Sequence, residues 1–507
     1  MGFFGTDGIR GVGSLDILED PRRSFEEERL FSKQLCGEMA YCASMISGEG
    51  DILIGWDRRP FNEKIAEHAI ERLRRTGRKI SVLGETTTPA LQFMMLENNA
   101  SLGLMITASH NPSEDTGMKI LFEGGRKPAL DEELAIEKIM FGETEMSPMV
   151  SDVEYIFPAP YIESVSEAIR EMSFQGIFPD NKILIDGSGG WTSSWLAELI
   201  SSFGVACTEV SDRGQPINLG CGAGDLSEGW ISWEECSSSE HSLLSAIDPA
   251  QRGSILGFCF DGDGDRCFLI CSEGEGAQII GGDGFLRLFF SQCHDAENFV
   301  VALTIESALD VSRSFKNFDN GRLIQTGVGD RWLQHALIGE KSELKIGAEP
   351  SGHVILQQKC GLKTGLWGDG VSTMLEFLRL IHRLGPNWVE SVTENPSRTI
   401  SESIYPSDRD SWKPDGRLSE VVIDVICRSF NIDIEELNRL EIKEETSLLL
   451  LYYSNGEEWS ISVRNSGTEP KTRVTIRTTD TKPGRGEALL AELMASIRPE
   501  LYIGTTS

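Results

Sequence analysis

The sequence predicts three similar α/β domains with mixed, mostly parallel sheets, followed by a smaller C-terminal α+β domain. Three observations carry that expectation. A strand and helix rhythm repeats three times between 51 and 349; its strands are short runs that are apolar on both faces; and the rhythm stops near 391. The length of 507 residues agrees, since about 150 residues per domain gives three to four domains.

In the first repeat, DILIGWD (51–57) reads as a buried strand, 63–76 as an amphipathic helix, KISVL (79–83) as a second strand and SLGLMIT (101–107) as a third. The second repeat runs KILIDG (182–187), a helix over 195–203, VACTEV (205–210) and SILGFCF (254–260). The third runs FVVALT (299–304), a helix over 307–315, RLIQT (322–326) and ELKIGAE (343–349). Beyond it, SRTISESIYP, a charged and helical stretch over 418–445, LLLLYY and EEWSISVRNSGTEPKTRVTIRT lead to a terminal helix. The acidic, Ser-rich stretch 225–251 reads as a surface insertion in the second repeat.

Composition narrows the function classes. With 47 Lys plus Arg against 79 Asp plus Glu, the formal charge of -32 opposes a long nucleic-acid or anionic-membrane footprint. A phosphorylated ligand therefore needs a locally basic pocket. Eleven cysteines, an odd number without any C-x-x-C pair, argue against a disulfide framework or a structural zinc site and for reduced thiols in the cytoplasm. The apolar runs are far shorter than the ~20 residues of a membrane span. Met1-Gly2 with Thr6 fits a loose myristoylation pattern, but those residues open a stronger motif.

Each third strand runs into an unusual loop: TASHNP, then DGDGDR, then AEPSGH. Open α/β sheets bind ligands at the carboxyl ends of their strands, so three such domains can aim three loops into one cleft. DGDGDR sets Asp261, Asp263 and Asp265 at alternate positions, a hard-oxygen set suited to Mg²⁺ or Ca²⁺. It is no EF-hand, because Arg266 stands where that loop needs Gly and Ser272 where it needs the bidentate Glu. TASHNP displays Ser109 beside His110, a hydroxyl able to serve as nucleophile or phosphate carrier or to be an ordinary turn residue; Lys119 adds a cation nearby. AEPSGH offers Glu349, Ser351 and His353 for sugar hydroxyls. RNSGTEPKTR supplies Arg464, Asn465, Ser466, Gly467 and Thr468, which can wrap a phosphate without forming a Walker loop.

Five ordered motifs, FGTDGIRG (4–11), TASHNP (107–112), DGDGDR (261–266), AEPSGH (348–353) and RNSGTEPK (464–471), make nearly the whole chain resemble the α-D-phosphohexomutases. The resemblance implies four domains around a central cleft and reversible movement of phosphate between O1 and O6 of a hexose. Ser109 is then similar to the family's phosphoserine, and Asp261, Asp263 and Asp265 to Mg²⁺ ligands completed by that serine phosphate. Arg10, His110, Lys119 and Arg266 match cationic and proton-transfer positions. Glu349 and Ser351, with His353, match the sugar loop, and Arg464, Asn465, Ser466, Gly467 and Thr468 the phosphate clamp. A hexose 1,6-bisphosphate serves as activator and intermediate.

The implied domains are 1–155 with the phosphoserine loop, 156–272 with the metal loop, 273–388 with the sugar loop and 389–507 with the phosphate loop. The GVGDR run at 327–331 resembles a loop of the phosphoglucosamine mutases and leans the reading toward glucosamine phosphate, with phosphomannomutase or phosphoglucomutase as the alternative. Ala348 and Pro350 depart from the family's usual Gly and Gln. The expected partner is a hexose phosphate, with no nucleic acid and no membrane, for a monomer or homodimer. Two rivals stay open: a haloacid-dehalogenase-like phosphatase using an Asp nucleophile, and a non-catalytic sugar-phosphate binder.

Overall fold

The computed structural model describes residues 3–5, 7–140, 150–250, 255–293, 298–393, 397–466, 470–480 and 482–504. Three mixed sheets repeat one four-strand unit. In the first, Ile52–Trp56 pairs in parallel with Ile80–Glu85 on one side and Leu102–Ile106 on the other, and Asp115–Phe122 then adds antiparallel. Ile183–Asp186, Cys207–Glu209, Ile255–Phe260 and Cys267–Glu273 repeat that order in the second sheet. Phe299–Thr304, Gly321–Thr326, Leu344–Ala348 and Val354–Cys360 repeat it in the third. In every unit the spatial order is second, first, third, fourth.

The loop joining the third and fourth strands therefore leaves the carboxyl end of a parallel strand and reverses at once. TASHNP, DGDGDR and AEPSGH are these three loops. Reversal by a tight turn, in place of a long crossover, holds each loop close to the sheet edge.

Two readings of the sequence need correction. The stretch 225–251 is not a solvated insertion alone: Gly229–Ser232 pairs antiparallel with Gly276–Ile280 at the edge of the second sheet, and Leu243 and Leu244 are buried in its core. A boundary at 272 accordingly cuts through one sheet, because Gly276–Ile280 also pairs with Cys267–Glu273. In the last region the helix is Arg417–Phe430, shorter than 418–445, since Asn431 turns left-handed with φ 52° and stops it.

The last sheet is wholly antiparallel, in the order Arg398–Ile404, Thr472–Thr478, Glu457–Asn465, Leu449–Asn455, Asn438–Arg439. Helices Arg417–Phe430 and Arg485–Leu501 cover it and build a separate core with Trp459, Ile461 and Leu493. By contrast one continuous apolar core runs through the first three units, joining Leu53 and Phe93 to Tyr161 and Trp191 and on to Phe258, Phe285, Phe299 and Trp367. The last unit touches them through a small cluster of Ile305, Leu448 and Leu450. All eleven cysteines are free thiols, and no helix among the described residues is long and apolar enough to cross a membrane.

Two helices start against the DGDGDR loop. Thr88–Asn98 donates its Thr88 N–H to the Asp263 carbonyl at 2.9 Å, and Gly370–Leu384 donates its Gly370 N–H to the Gly264 carbonyl at 3.0 Å. A Cβ at position 370 would lie 2.4 Å from the Arg266 carbonyl oxygen and 2.9 Å from that of Gly264. Gly370→Ala should therefore push the loop off the helix and destabilise the protein by about 1–3 kcal/mol, the usual range for overpacking. Urea denaturation checks this, and an unchanged midpoint contradicts it.

Candidate active site

The TASHNP and DGDGDR loops meet in the interior. Ser109 is fully buried, sits in the left-handed region with φ 54°, and donates its hydroxyl to Asp261 Oδ2 at 2.7 Å. A non-glycine residue held there costs on the order of 1–3 kcal/mol, so surrounding contacts must impose the conformation. They come chiefly from Arg59, a buried guanidinium absent from the sequence-level candidates. It donates to the carbonyl oxygens of Ser109 at 2.7 Å, Asn111 at 2.9 Å and Asp115 at 2.8 Å, and also to that of Pro112. Asp57 holds Arg59 Nε at 3.0 Å and accepts the Thr107 hydroxyl at 2.6 Å. Asn218 of the second unit adds a bond to the Ser109 carbonyl at 2.8 Å.

Asp261, Asp263 and Asp265 are buried and offer oxygens within 4.8 Å of one another. Lys119 lies among carboxylates: its Nζ is 2.7 Å from Asp263 Oδ2, 2.6 Å from Asp265 Oδ2 and 2.8 Å from Asp7 Oδ2. Its three N–H donors thus match three carboxylates. Burial disfavours the Lys119 ammonium, but Asp263, Asp265 and Asp7 outweigh it and hold its pKa well above normal. Burial, with the charges of Asp265 and Asp263, pushes Asp261 well above the usual carboxylate range. For Asp7 burial acts upward too, yet Lys119, Lys127 and Arg10 together hold it well below that range.

These carboxylates pass the chemical test for a divalent cation. Asp263 Oδ1 and Asp265 Oδ1 are buried without a hydrogen-bond partner, and buried orphaned oxygens are costly unless something positive meets them. An oxygen-only set of three carboxylates is the chemistry Mg²⁺ prefers, with room left for phosphate or water oxygens.

Arg266 N–H caps Asp261 Oδ1 at 3.2 Å, while its Nε donates to His353 Nε2 at 3.1 Å. His353 therefore carries its proton on Nδ1, which faces Asp265 Oδ1 at 3.6 Å and Asp330 Oδ2 at 3.9 Å. His110 Nδ1 lies 3.5 Å from Ser109 Oγ. The Arg266 charge, then burial and Arg10, keep His110 neutral by driving its pKa far below normal. Arg10 reaches Asn111 Oδ1 at 3.2 Å and Asp7 Oδ2 at 3.3 Å.

Glu349 accepts the Gly329 N–H at 2.8 Å and the Ser351 hydroxyl at 2.9 Å, and its backbone N–H bonds the His353 carbonyl at 3.0 Å. The AEPSGH and GVGDR loops are thereby locked together. Arg464 pairs with Glu306 Oε1 at 2.7 Å, and its charge is supported by Glu306, Glu445 and Glu349. Asn465 departs from its expected role: its amide donates to the Arg409 carbonyl at 2.9 Å and accepts from Thr472 at 2.8 Å, so both ends are spent inside the last unit. Ser466 is described, its N–H bonding the Lys471 carbonyl at 2.7 Å, whereas Gly467 and Thr468 lie outside the described residues.

Sequence reading missed Asp7, Asp57, Arg59, Lys127 and Asp330. Lys127 bridges Asp7 and Asp330 and so ties the first unit to the third. A signal for two of them was present: DILIGW runs straight into DRRP, the same passage from apolar strand to charge that marked DGDGDR. Arg59→Ala would leave Asp57 uncompensated and four carbonyls without their donor, a loss of about 3–5 kcal/mol by analogy with broken buried pairs. Thermal unfolding tests it; a loss under about 1 kcal/mol, typical of an exposed pair, contradicts the clamp.

Comparison with known proteins agrees with this geometry. Residues 1–147 match the model for phosphoglucomutase/phosphomannomutase, alpha/beta/alpha domain I, and residues 282–399 match the one for domain III. A phosphoglucosamine mutase of Prochlorococcus marinus is 28% identical over 487 residues, 95% of this chain and 92% of its own. The fold is shared with a phosphoglucomutase/phosphomannomutase family protein of Burkholderia thailandensis, with a TM-score of 0.69 at 16% identity over 98% of this chain and 97% of that one. It is shared also with Aspergillus fumigatus N-acetylphosphoglucosamine mutase in complex with GlcNAc-6P and magnesium, with a TM-score of 0.55 at 16% identity over 81% and 91%. Taken with the repeated sheets and their three converging loops, the chain belongs to the phosphoglucomutase/phosphomannomutase family, the α-D-phosphohexomutases, and is an isomerase that works by phosphoryl transfer.

Proposed function

We propose that the protein interconverts hexose 6-phosphate and hexose 1-phosphate, with glucosamine phosphate as the preferred sugar, through a phosphorylated Ser109 and a bound hexose 1,6-bisphosphate. The observation that carries this reading is the Ser109 hydroxyl, held on Asp261 Oδ2 at 2.7 Å at the edge of a buried acidic cluster. The substrate follows the names of the curated relatives and the GVGDR loop.

Phosphoryl transfer asks a protein mainly to align two oxygens and to neutralise charge. Asp261, Asp263 and Asp265 would hold a Mg²⁺, which would supply positive charge against the moving phosphoryl group. The sugar hydroxyl forms the new O–P bond as the bond from phosphorus to Ser109 Oγ breaks. Its proton passes to the departing Oγ by way of His110, whose Nδ1 lies 3.5 Å from that oxygen. Lys119 remains an ammonium among its carboxylates and Arg266 adds a second cation beside Asp261.

Glu349 and Ser351 present acceptors and a donor to sugar hydroxyls. Arg464, with Ser466, takes the phosphate that is not reacting, for which it exchanges Glu306. The bisphosphate then turns over, and its other phosphate returns to Ser109. The last unit, joined through the small Ile305, Leu448 and Leu450 cluster, closes on the sugar and excludes water that would hydrolyse the phosphoserine.

A second reading, phosphomannomutase or phosphoglucomutase, is favoured by the printed descriptions of the matched domain families. Turnover on glucosamine, mannose and glucose 1-phosphates decides between them, the proposal expecting glucosamine phosphate to give the highest kcat/KM. After incubation with hexose 1,6-bisphosphate, peptide mass spectrometry should find phosphate on Ser109. Phosphate on Asp261 would establish the phosphatase-like alternative. Ser109→Ala should lower kcat by several orders of magnitude, about the loss expected when a covalent nucleophile is removed, and near-normal turnover contradicts the assignment. Arg464→Ala should chiefly raise KM, by roughly tenfold or more for a charge-assisted phosphate contact; an unchanged KM moves the anion site elsewhere.

A further inference from the structure

Arg464, the cation assigned to the substrate's phosphate, is held by an acid of another unit. Glu306 lies two residues beyond the strand Phe299–Thr304 of the third unit and places Oε1 2.7 Å from Arg464 Nη2 and 3.9 Å from Arg473 Nη1. Arg464 and Arg473 stand directly opposite each other on the paired strands Glu457–Asn465 and Thr472–Thr478, so one carboxylate of the third unit sits against two cations of the fourth. The Glu306 side chain is 27% exposed, which leaves it within reach of a ligand bound to Arg464. Burial acts upward on its pKa, but Arg464, Arg473 and Arg477 hold it below the usual carboxylate range. It is therefore a charged acceptor at neutral pH.

A carboxylate beside a phosphate ligand is costly, because it competes for the guanidinium and repels the anion that displaces it. Two more acids, Glu445 and Glu349, also act on the Arg464 charge. Both are engaged elsewhere: Glu445 accepts the Val328 N–H at 2.9 Å, and Glu349 accepts the Gly329 N–H and the Ser351 hydroxyl. Glu306 is the one that loses its principal partner when a phosphate takes Arg464. A partly buried carboxylate left in that state is stabilised by any cation that arrives with the phosphate.

A 2-amino-2-deoxyhexose 1-phosphate carries such a cation. Its C2 ammonium is one carbon away from the C1 phosphate, so a phosphate seated on Arg464 brings the ammonium to the neighbourhood of Glu306. In the corresponding 6-phosphate the two charged groups lie at opposite ends of the sugar. A C2 hydroxyl brings no charge in either case.

We propose that Glu306 is a specificity-determining residue for amino sugars: displaced from Arg464 by the phosphate of a hexosamine 1-phosphate, its carboxylate pairs with the C2 ammonium of the same ligand. The inference rests on the reading of Arg464 as the phosphate ligand. It assigns the discrimination between amino and hydroxyl sugars to a carboxylate outside the AEPSGH loop.

The test reads binding to the full chain by isothermal titration, in a Ser109→Ala background so that no phosphate is transferred. Below the pKa of the sugar amine, glucosamine 1-phosphate should bind roughly tenfold more tightly than glucose 1-phosphate, the worth of one charge-assisted contact. Glu306→Gln keeps the size and removes the charge. It should erase that preference and tighten glucose 1-phosphate, which then meets no competing carboxylate on Arg464. The ratio of glucosamine 6-phosphate to glucose 6-phosphate should stay as it was. With Glu306 in place, raising the pH through the amine pKa should erase the preference too, since the ligand loses its charge. The phosphate ionises alike in both sugars, and the groups facing Glu306, namely Arg464, Arg473, Arg477 and Glu445 of the fourth unit and Glu349 of the third, meet both sugars alike. No preference with Glu306 in place, a preference that survives in Glu306→Gln or above the amine pKa, or an equal change for both 1-phosphates overturns the assignment. Arg464→Ala separates the two readings. If it weakens both sugars while Glu306→Gln leaves their ratio unchanged, this inference alone fails; if it weakens neither, the phosphate site fails and this inference with it.

Discussion

Four buried carboxylates, on Asp261, Asp263, Asp265 and Asp330, and the partly buried Asp7 crowd one region, and the surrounding structure is organised by the need to compensate them. Taking an ion from water into a protein costs several kcal/mol even after relaxation, so a cluster of like charges persists only when opposite charges reach it with good geometry. Here they arrive from distant loops: Lys119 and Lys127 from the first unit and Arg266 from the second. Because Lys127 spans Asp7 and Asp330, compensation of charge also fixes the first unit against the third. The cations still leave oxygens of Asp263 and Asp265 without a hydrogen-bond partner, an opening that would suit a divalent ion.

The first three units share one core, and the fourth has its own. The three repeated units share a continuous apolar core and hold the aspartates, Ser109 and the sugar loop in fixed relation. The fourth unit has its own core and meets the rest through a small apolar cluster, the pair Arg464–Glu306, the Glu445 contact to Val328 N–H at 2.9 Å, and Arg477 donating to the Ser307 carbonyl. Most of these contacts are polar, and Gln325 with Tyr452 and Glu458 with Arg313 and Lys316 add to them, as in interfaces between domains of one chain. In the proposed reaction a phosphate would replace the Glu306 carboxylate on Arg464 by another anion, so that binding would draw on a side chain that also joins the fourth unit to the third.

Much of this was legible in the sequence because one physical pattern recurs. An apolar strand that runs into charge marks the carboxyl end of a parallel strand, and TASHNP, DGDGDR and AEPSGH each follow it. The pairing of partners far apart in the chain was not legible. Lys127 stands in none of the motifs, and only the structure brings Asp330 beside it, 203 positions away. Arg59 falls between the strand at 51–57 and the helix at 63–76, where nothing in the sequence marks its guanidinium as the clamp on the TASHNP loop. Asn465 sits in the motif expected to bind phosphate, but side-chain direction, which spacing does not encode, turns it toward Arg409 and Thr472. In the last unit the charged run past 430 hid a helix stop that depends on one left-handed Asn431.

The central claim is that the interior acidic cluster is a single divalent-cation site. Isothermal titration of Mg²⁺ into the full chain, compared with Asp261→Asn, Asp263→Asn and Asp265→Asn, tests it most directly, because each substitution keeps size and removes one charge. One bound Mg²⁺ per chain in the parent protein, with affinity lost in each of the three variants, is the predicted result. Affinity that survives in all three, or no binding in the parent, contradicts it.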